Sequence, residues 1–291
     1  MNVYLEITRP TNALMAAVAV LLMAIINFNY GIPIILGFIT VLFATSGGNV
    51  INDFFDYKID KINKPQRPIP SGRISLKNAK NYSIILFLIS ILLSGLISYL
   101  VKDLTPLILV FCCCLLMYFY ARNLKAMPLF GNIAVSLLTA LCFIFGGDIL
   151  AFSTHSFLIL QTGCALGFFA FFMTLAREIT KDMEDIEGDK IESAETLPIV
   201  WGNRNSSILS SILIIITALV SPLLFYLNIF NVYYLIVMII PIILFLYCAI
   251  IILKNQEPVT CGKVSKYLKI GMLISFLAFI FNTSNRMRIR I

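Results

Sequence analysis

Long apolar stretches separated by polar segments run along the chain from one end to the other. Each stretch has the length that a helix needs to cross a bilayer core about 30 Å thick. Only helices satisfy their own backbone in lipid, and the residue-by-residue alternation of a membrane barrel is absent. The pattern therefore predicts an all-α, polytopic membrane protein with about nine transmembrane helices, although a count of eight is also compatible. The predicted spans are 11–28, 32–52, 82–101, 104–121, 128–147, 156–176, 207–227, 231–253 and 267–284.

Composition agrees with a membrane environment. Hydrophobic residues make up 59% of the 291 residues and charged residues only 13%, whereas about 25% of the residues in soluble domains are charged. Such an excess requires an apolar solvent, so the cell membrane is the expected location. The seven cysteines show no spacing typical of disulfides or metal sites. The only histidine, His155, has no candidate catalytic partner nearby in the sequence.

The distribution of Lys and Arg predicts how the chain lies in the membrane. With the N-terminus inside, the inner segments hold all but four of the 22 Lys and Arg residues. The exceptions are Lys102, Arg286, Arg288 and Arg290. The positive-inside rule then assigns the inner segments to the cytoplasm. We expect one transmembrane domain, 1–291, with two functional inner loops at 53–80 and 177–206.

Both long inner loops carry the same acidic pattern, D-x-x-D-x-x-x-D. The pattern occurs as Asp53, Asp56 and Asp60 in the first loop and as Asp182, Asp185 and Asp189 in the second. Offsets of three and four place the three carboxylates on one face of a helix. Two copies with the same spacing, each where a span leaves the membrane on the inner side, indicate a functional site and two pseudo-symmetric halves.

Carboxylates at this spacing are unfavourable unless a cation is present. Two of them about 6 Å apart repel by about 3 kcal/mol at an effective dielectric constant of ~20, and a helix C-terminus also disfavours negative charge. A hard divalent cation, ligated by carboxylates and by phosphate oxygens of a substrate, relieves the repulsion. The sequence therefore predicts Mg²⁺ bound by both motifs together with a diphosphate, with Asp53, Asp56, Asp182 and Asp185 as ligands.

Basic side chains near the motifs are candidates for binding that diphosphate. Arginine makes a planar two-point contact with phosphate, and lysine supplies a point charge. The candidates are Arg67 and Arg73 after the first motif, Arg177 and Lys181 before the second, and Arg122 and Lys125 with Tyr120 between the fourth and fifth spans.

These residues resemble the UbiA superfamily of intramembrane prenyltransferases over essentially the whole chain. The family pattern N-D-x-x-D-x-x-x-D is matched from Asn52 onwards, which adds Asn52 to the implied metal ligands. The family element Y-[ST]-x-x-L-K is similar to Tyr120 through Lys125, with Ala121 in place of the usual hydroxyl residue. Asn12 resembles a family asparagine on the first helix and is an implied substrate-binding residue.

The resemblance implies nine helices around a central cavity and transfer of a prenyl group from a prenyl diphosphate. The two acidic loops are similar to an archaeal branch of the family. That similarity implies geranylgeranyl diphosphate as donor and geranylgeranylglyceryl phosphate as lipid-like acceptor, in archaeal ether-lipid (membrane phospholipid) biosynthesis. The catalytic candidates are Lys125, and Asp60 or Asp189 as proton acceptor, although the released diphosphate can take the proton equally well. Membrane lipids are expected neighbours, and no nucleic-acid or protein partner is implied.

Two alternative functions remain open at this point. A UbiA-type enzyme of quinone biosynthesis uses an aromatic acceptor such as 4-hydroxybenzoate. A divalent-cation carrier needs ionisable residues near the bilayer midplane, whereas the acids of this chain cluster at one surface.

Overall fold

The computed structural model describes residues 2–191 and 194–281, and within these ranges all regular secondary structure is helical. The predicted all-α fold class is therefore confirmed for the described residues. The end of the ninth predicted span, after residue 281, and the bases Arg286, Arg288 and Arg290 lie outside these ranges.

The described residues form thirteen α-helices and one short 3₁₀ helix, Leu124–Ala126. The α-helices are α1 (Val3–Ile7), α2 (Pro10–Asn27), α3 (Ile32–Phe55), α4 (Tyr57–Asn63), α5 (Leu76–Val101), α6 (Thr105–Arg122), α7 (Phe130–Thr154), α8 (Phe157–Glu184), α9 (Ile186–Ile191), α10 (Leu197–Val220), α11 (Leu223–Tyr226), α12 (Val232–Lys254) and α13 (Pro258–Phe281).

Among the described residues, nine helical segments are long and apolar enough to cross a membrane, as predicted. The predicted ends of several spans were wrong, because polar residues continue the helices there. Helix α10, which contains the seventh span, begins at Leu197 and is kinked at Gly202 (φ 79°, ψ 155°), so the helix after the kink already precedes the predicted start at 207. The ninth span begins at Pro258 rather than at 267. In the seventh span, Ser206 and Ser207 are buried, and their hydroxyls donate to the backbone oxygens of Gly202 (3.0 Å) and Arg204 (2.7 Å). Serines bonded to their own helix do not end it.

The two predicted inner loops are largely helical. Segment 53–80 contains the end of α3, all of α4 and the start of α5, so that only Asp56 and residues 64–75 connect helices there. Segment 177–206 likewise contains the end of α8, α9 and the start of α10. Each acidic motif therefore lies on helical backbone rather than in an irregular loop.

The described chain divides into two compact units, each with its own core. The first unit contains Met1–Ala24, Asn29–Leu124 and Leu141–Cys164, and the second contains Ile25–Phe28, Lys125–Ala140 and Ala165–Ile291. In the first unit α3 packs along α5, and the Ser83 hydroxyl donates to the Gly47 carbonyl at 2.9 Å. This packing fixes the end of α3, which carries the first acidic motif.

The second unit is organised around α10, α12 and α13, with the later part of α8. Ser210 of α10 donates to the Ala176 carbonyl of α8 at 2.9 Å, and Ser211 donates to the Ala249 carbonyl of α12 at 3.0 Å. Such short polar contacts allow helices to approach closely where no hydrophobic driving force holds them together. The end of α8, which carries the second motif, is thereby held on this unit.

Candidate active site

The first acidic motif spans a break between two helices. Helix α3 ends at Phe55, and Asp56 (φ −79°, ψ −1°) separates it from α4. The backbone hydrogen bonds nevertheless keep helical spacing across the break, from Asp56 N to Asn52 O (2.9 Å) and from Asp60 N to Asp56 O (2.8 Å). The three aspartates therefore follow one another at the rise of a helix, with the middle one at the break.

The second motif repeats this local structure. Asp185 separates α8 from α9, and the backbone bonds run from Asp185 N to Lys181 O (3.0 Å) and from Asp189 N to Asp185 O (3.0 Å). The prediction from spacing did not include a break in either motif. The same sequence spacing thus produces the same backbone arrangement in both units.

Two arginines neutralise the first motif. The Asp53 side chain is 4% exposed, forms an ion pair with Arg9 and lies 3.4 Å from Arg67 Nη1. The same Arg67 nitrogen lies 2.6 Å from Asp60 Oδ2, whose side chain is 5% exposed. Arg67 therefore links the first and third carboxylates of the motif. Arg9 begins the turn into α2 and adopts φ +48°, so the chain before the first span folds back onto this motif.

The middle aspartate of the first motif accepts a hydrogen bond from an amide. Asn52 Nδ2 donates to Asp56 Oδ2 at 2.8 Å. Within residues 2–191 and 194–281 no group of three or more His, Cys, Asp and Glu side chains is arranged to hold a metal ion. In the first motif, Asp53 and Asp60 both face arginine.

The second motif has a different environment. Asp182 Oδ2 accepts a hydrogen bond from Asn132 Nδ2 of α7 at 2.8 Å, and Asn132 is 7% exposed. Asp182 is half-buried and Asp185 is exposed. In the described part of the chain neither of these two carboxylates forms an ion pair. An amide therefore holds the first aspartate of this motif, where two arginines hold that of the other.

An arginine–glutamate pair lies on α8 before the second motif. Arg177 Nη1 forms an ion pair with Glu178, and the side chains are 24% and 14% exposed. Arg177 Nε is buried, and among the described residues it has no hydrogen-bond partner. One donor of this predicted substrate-binding arginine is therefore left unsatisfied.

The structure gives Arg73, a predicted substrate-binding residue, a full set of contacts within the protein. Its two terminal nitrogens donate to the Glu6 carboxylate at 2.7 and 2.8 Å. Nη2 also donates to Gln66 O (2.7 Å), and Nε donates to Ser71 Oγ (3.0 Å). This bond from Arg73 holds the pKa of Glu6 below its usual value, and the same bond raises the pKa of Arg73. These contacts tie α1 to the segment after α4.

The other predicted substrate-binding residues lie at helix ends. Asn12 is exposed in the first turn of α2, and Arg122 is exposed in the last turn of α6. Tyr120, two residues before Arg122 on α6, is half-buried, and Lys125 is half-buried in the 3₁₀ helix. Lys181 is exposed and Asp189 half-buried on α8 and α9. Their roles stay predictions, as does a metal–diphosphate site shared by both motifs.

Three residues of these networks were missed by the sequence analysis. Arg9 was counted only as an inner positive charge, and Asn132 and Glu178 were not singled out. Arg9 is 44 residues from Asp53, and Asn132 is 50 residues from Asp182, so no local spacing connects them. Glu178 had a local signal, because it stands between two predicted substrate-binding bases on α8.

The chain belongs to the UbiA prenyltransferase family, whose model matches residues 13–279. It is similar to digeranylgeranylglyceryl phosphate synthase of Methanobrevibacter smithii, with 52% identity over 97% of this chain and 98% of that one. It is also similar to the enzyme of the same name from Methanosphaera stadtmanae, with 54% identity over 96% and 98%.

Solved structures show the same fold. One reported for digeranylgeranylglyceryl phosphate synthase in membranes matches with a TM-score of 0.80 and 38% identity, and covers 97% of both chains. A UbiA homolog from Archaeoglobus fulgidus bound to GPP and Mg²⁺ matches with a TM-score of 0.64 and 18% identity, over 94% of this chain and 99% of that one. With nine spans and this family membership, the chain is a multi-pass membrane protein.

Proposed function

We propose that the protein transfers a geranylgeranyl group from geranylgeranyl diphosphate to the glycerol hydroxyl of geranylgeranylglyceryl phosphate. The observation that carries the proposal is the match, over nearly the full length of both chains, to two enzymes of that activity at 52% and 54% identity. The spacing and backbone that the two acidic motifs share support it from the structure. No observation favours the aromatic acceptor or the cation carrier.

The donor atoms of the two motifs fit Mg²⁺. The second motif offers the carboxylates of Asp182 and Asp185, and the first offers Asp56 and the Asn52 side-chain oxygen, all of them hard oxygen ligands. Asp53 fits less well in the arrangement described, because Arg9 and Arg67 occupy it. When bound, Mg²⁺ neutralises the diphosphate and makes it a better leaving group.

The protein's own residues supply binding and proton transfer in this proposal. Lys125, Lys181 and Arg122 bind diphosphate oxygens, while Tyr120 and Asn12 contribute polar contacts at the helix ends. As the C1–O bond breaks, its electron pair leaves with the diphosphate, and the glyceryl hydroxyl oxygen forms the new bond to C1. Asp60 is bonded to Arg67, and in this proposal the hydroxyl proton passes to Asp189 or to the released diphosphate. We assign Arg73 to holding α1 rather than to the substrate.

We also propose that the acidic motifs face the cytoplasm. The support is the concentration of Lys and Arg in the segments on the motif side of the membrane. The polyprenyl donor is then delivered from the inner leaflet or from the cytoplasm.

A transfer assay on purified protein in detergent tests the proposed function. Labelled geranylgeranyl diphosphate is offered with geranylgeranylglyceryl phosphate or with 4-hydroxybenzoate, in Mg²⁺ or in EDTA. We expect Mg²⁺-dependent label in the doubly prenylated glyceryl phosphate, which the Asp56→Ala variant does not form. Lys61→Met, which removes an exposed base from α4, is the matched control and keeps wild-type activity.

Other outcomes would contradict the proposal. Label in 4-hydroxybenzoate alone would retain the family and replace the acceptor. Equal label in EDTA would remove the role of Mg²⁺. No transfer by protein with a cooperative thermal transition would exclude this pair of substrates.

A further inference from the structure

Arg177 lies on α8, seven residues before the end of that helix at Glu184. It precedes Asp182 by five residues, so its Cα lies about 7.5 Å further back along the helix. A buried polar atom without a partner in such a place calls for an explanation. Glu178 forms an ion pair with Nη1 of Arg177. The buried Nε of the same guanidinium still has no acceptor among the described residues.

Glu178 also fixes the direction of the guanidinium. Adjacent residues on a helix do not face each other, so Arg177 must turn sideways along α8 to reach Glu178. Lys181 follows Arg177 by four residues and therefore lies on the same face. Together with Glu178, this stretch of α8 carries two bases and one acid, which leaves a net charge of about +1 near the unsatisfied donor, by the ordinary charges of these side chains.

An oxyanion is the group that satisfies such a donor best. A buried donor without a partner costs about 1–3 kcal/mol, and the planar guanidinium matches the oxygens of a phosphate. The nearest acid of the second motif does not fill this role, because Arg177 Nε has no hydrogen-bond partner among the described residues, and the Asp182 Oδ2 atom accepts from Asn132 instead. The geometry therefore calls for an anionic group brought by a ligand.

The position on α8 decides which phosphate this is. In the proposed reaction the diphosphate of the donor is held at the level of Asp182 and Asp185. Beyond its C1 atom the donor is hydrocarbon and offers no acceptor atoms. The other phosphate is on the acceptor, on the carbon next to the one that bears the attacking hydroxyl. That hydroxyl must come within about 3–3.5 Å of C1, so the acceptor phosphate lies a few ångströms from the reacting bond.

We propose that Arg177 binds the phosphate of the prenyl acceptor and that Glu178 positions the guanidinium for it. This inference rests on the proposed function and deepens it, since it explains how a phosphate-bearing acceptor is selected. Arg177 is then a specificity residue for the acceptor and does not contribute to binding of the donor diphosphate.

The test compares two acceptors that differ only in the phosphate, geranylgeranylglyceryl phosphate and geranylgeranylglycerol. Equilibrium binding of each labelled lipid and of labelled donor is measured on purified wild type, Arg177→Gln and Arg177→Lys, and kcat/KM is measured where turnover is detectable. Arg204→Gln is the matched control, because Arg204 is an exposed inner-side base of the same unit whose Nη1 donates to Leu253 O at 2.5 Å.

We expect Arg177→Gln to weaken binding of the phosphate-bearing acceptor about 10- to 100-fold, as for loss of a charge-assisted hydrogen bond. Binding of the phosphate-free lipid and of the donor stays within about twofold, and Arg177→Lys falls between wild type and Arg177→Gln. Glu178→Ala weakens the same acceptor, and Glu178→Gln, whose carbonyl still accepts from the guanidinium, restores most of the loss.

Two results overturn the inference while leaving the proposed function intact. One is a parallel loss for both acceptors in Arg177→Gln, and the other is weaker donor binding with unchanged acceptor binding. If wild-type protein transfers no prenyl group to geranylgeranylglyceryl phosphate, the proposed function fails and the inference fails with it. If Arg177→Gln does not fold, Arg177→Lys alone must show the selective loss, and a ratio of the two lipid affinities unchanged from wild type overturns the inference.

Discussion

The two acidic motifs share their spacing and backbone but differ in what neutralises them. In the first motif Asp53 and Asp60 are buried against Arg9 and Arg67. In the second motif Asp182 is held by an uncharged amide and Asp185 is exposed. The repeat in the sequence therefore specifies where the carboxylates lie along each helix, while residues far away in the chain decide their charge environment.

This difference predicts different behaviour toward a cation. Where arginine already balances the carboxylates, Mg²⁺ has to displace a positive charge, and the arginines need another anion to bind. Where only an amide is present, the cation meets uncompensated negative charge. We therefore expect the second motif to bind Mg²⁺ first and the first motif to bind it together with the donor diphosphate.

The largest expected effect is a loss of prenyl transfer, and we expect it in both motifs alike. Asp56→Ala and Asp185→Ala each replace the aspartate at a helix break, and each should lower the rate of prenyl transfer at least about 1000-fold, because both remove a proposed ligand of Mg²⁺. The transfer assay measures this. Lys190→Met, which removes an exposed base of α9, is the control. A loss at one break only would mean that the motifs are not equivalent in catalysis.

The next effect is on the free energy of unfolding, and we expect it to differ between the two motifs. Asp53→Asn leaves Arg9 and Arg67 without their carboxylate and should lower the free energy of unfolding by about 1–3 kcal/mol. Asp182→Asn keeps an oxygen that accepts from Asn132 and should change it by less than about 0.5 kcal/mol. Thermal unfolding in detergent with EDTA compares them. Equal losses would show that Arg9 and Arg67 do not stabilise the first motif.

A smaller effect concerns metal affinity without the donor. Arg67→Gln removes the cation that links Asp53 and Asp60, so Mn²⁺ should bind the first motif about tenfold more tightly, as expected for about 1.4 kcal/mol of lost repulsion. Titration followed by electron paramagnetic resonance gives the affinity. The Arg67→Lys variant keeps the charge and should resemble wild type. If both variants bind Mn²⁺ as wild type does, the difference in charge between the motifs has no effect on metal binding.

The smallest effect arises outside the motifs, at the contact between Glu6 and Arg73. Folding lowers the pKa of Glu6 below its ordinary value of 4.5, with the hydrogen bond from Arg73 as the first cause. The contact therefore stabilises the folded state above pH 4.5, and the stabilisation disappears as the pH falls through the lowered pKa. Glu6→Gln should melt slightly earlier than wild type at pH 7, and the difference should shrink as the pH falls below 4.5. A difference that grows toward low pH would contradict this sign.

The parts of the fold that depend on local pattern could be predicted from the sequence. Apolar length alone identified nine spans, because the bilayer imposes the length of a helix. The start of the seventh span was missed because Ser206 and Ser207 look polar in a sequence, although both are buried and bonded to their own helix. Hydropathy does not detect a hydroxyl that is satisfied locally.

The candidate site could be predicted only in part for a related reason. The spacing of the aspartates and nearby bases is local and was visible. Arg9 and Asn132 come from other spans, and their contacts with Asp53 and Asp182 exist only after the helices have packed. The helix breaks at Asp56 and Asp185 were also missed, since neither position carries Gly or Pro, the usual sequence signals of a helix end.

The pairing of Arg9 with Asp53 also has a consequence for how the protein is made. Arg9 precedes the first span and Asp53 ends the second. Because domains form from the N-terminus during synthesis, these two residues can join as soon as the first helical hairpin is inserted, before Arg67 has left the ribosome. The first two spans thus have an ion pair of their own between their ends, which forms without residues of later spans.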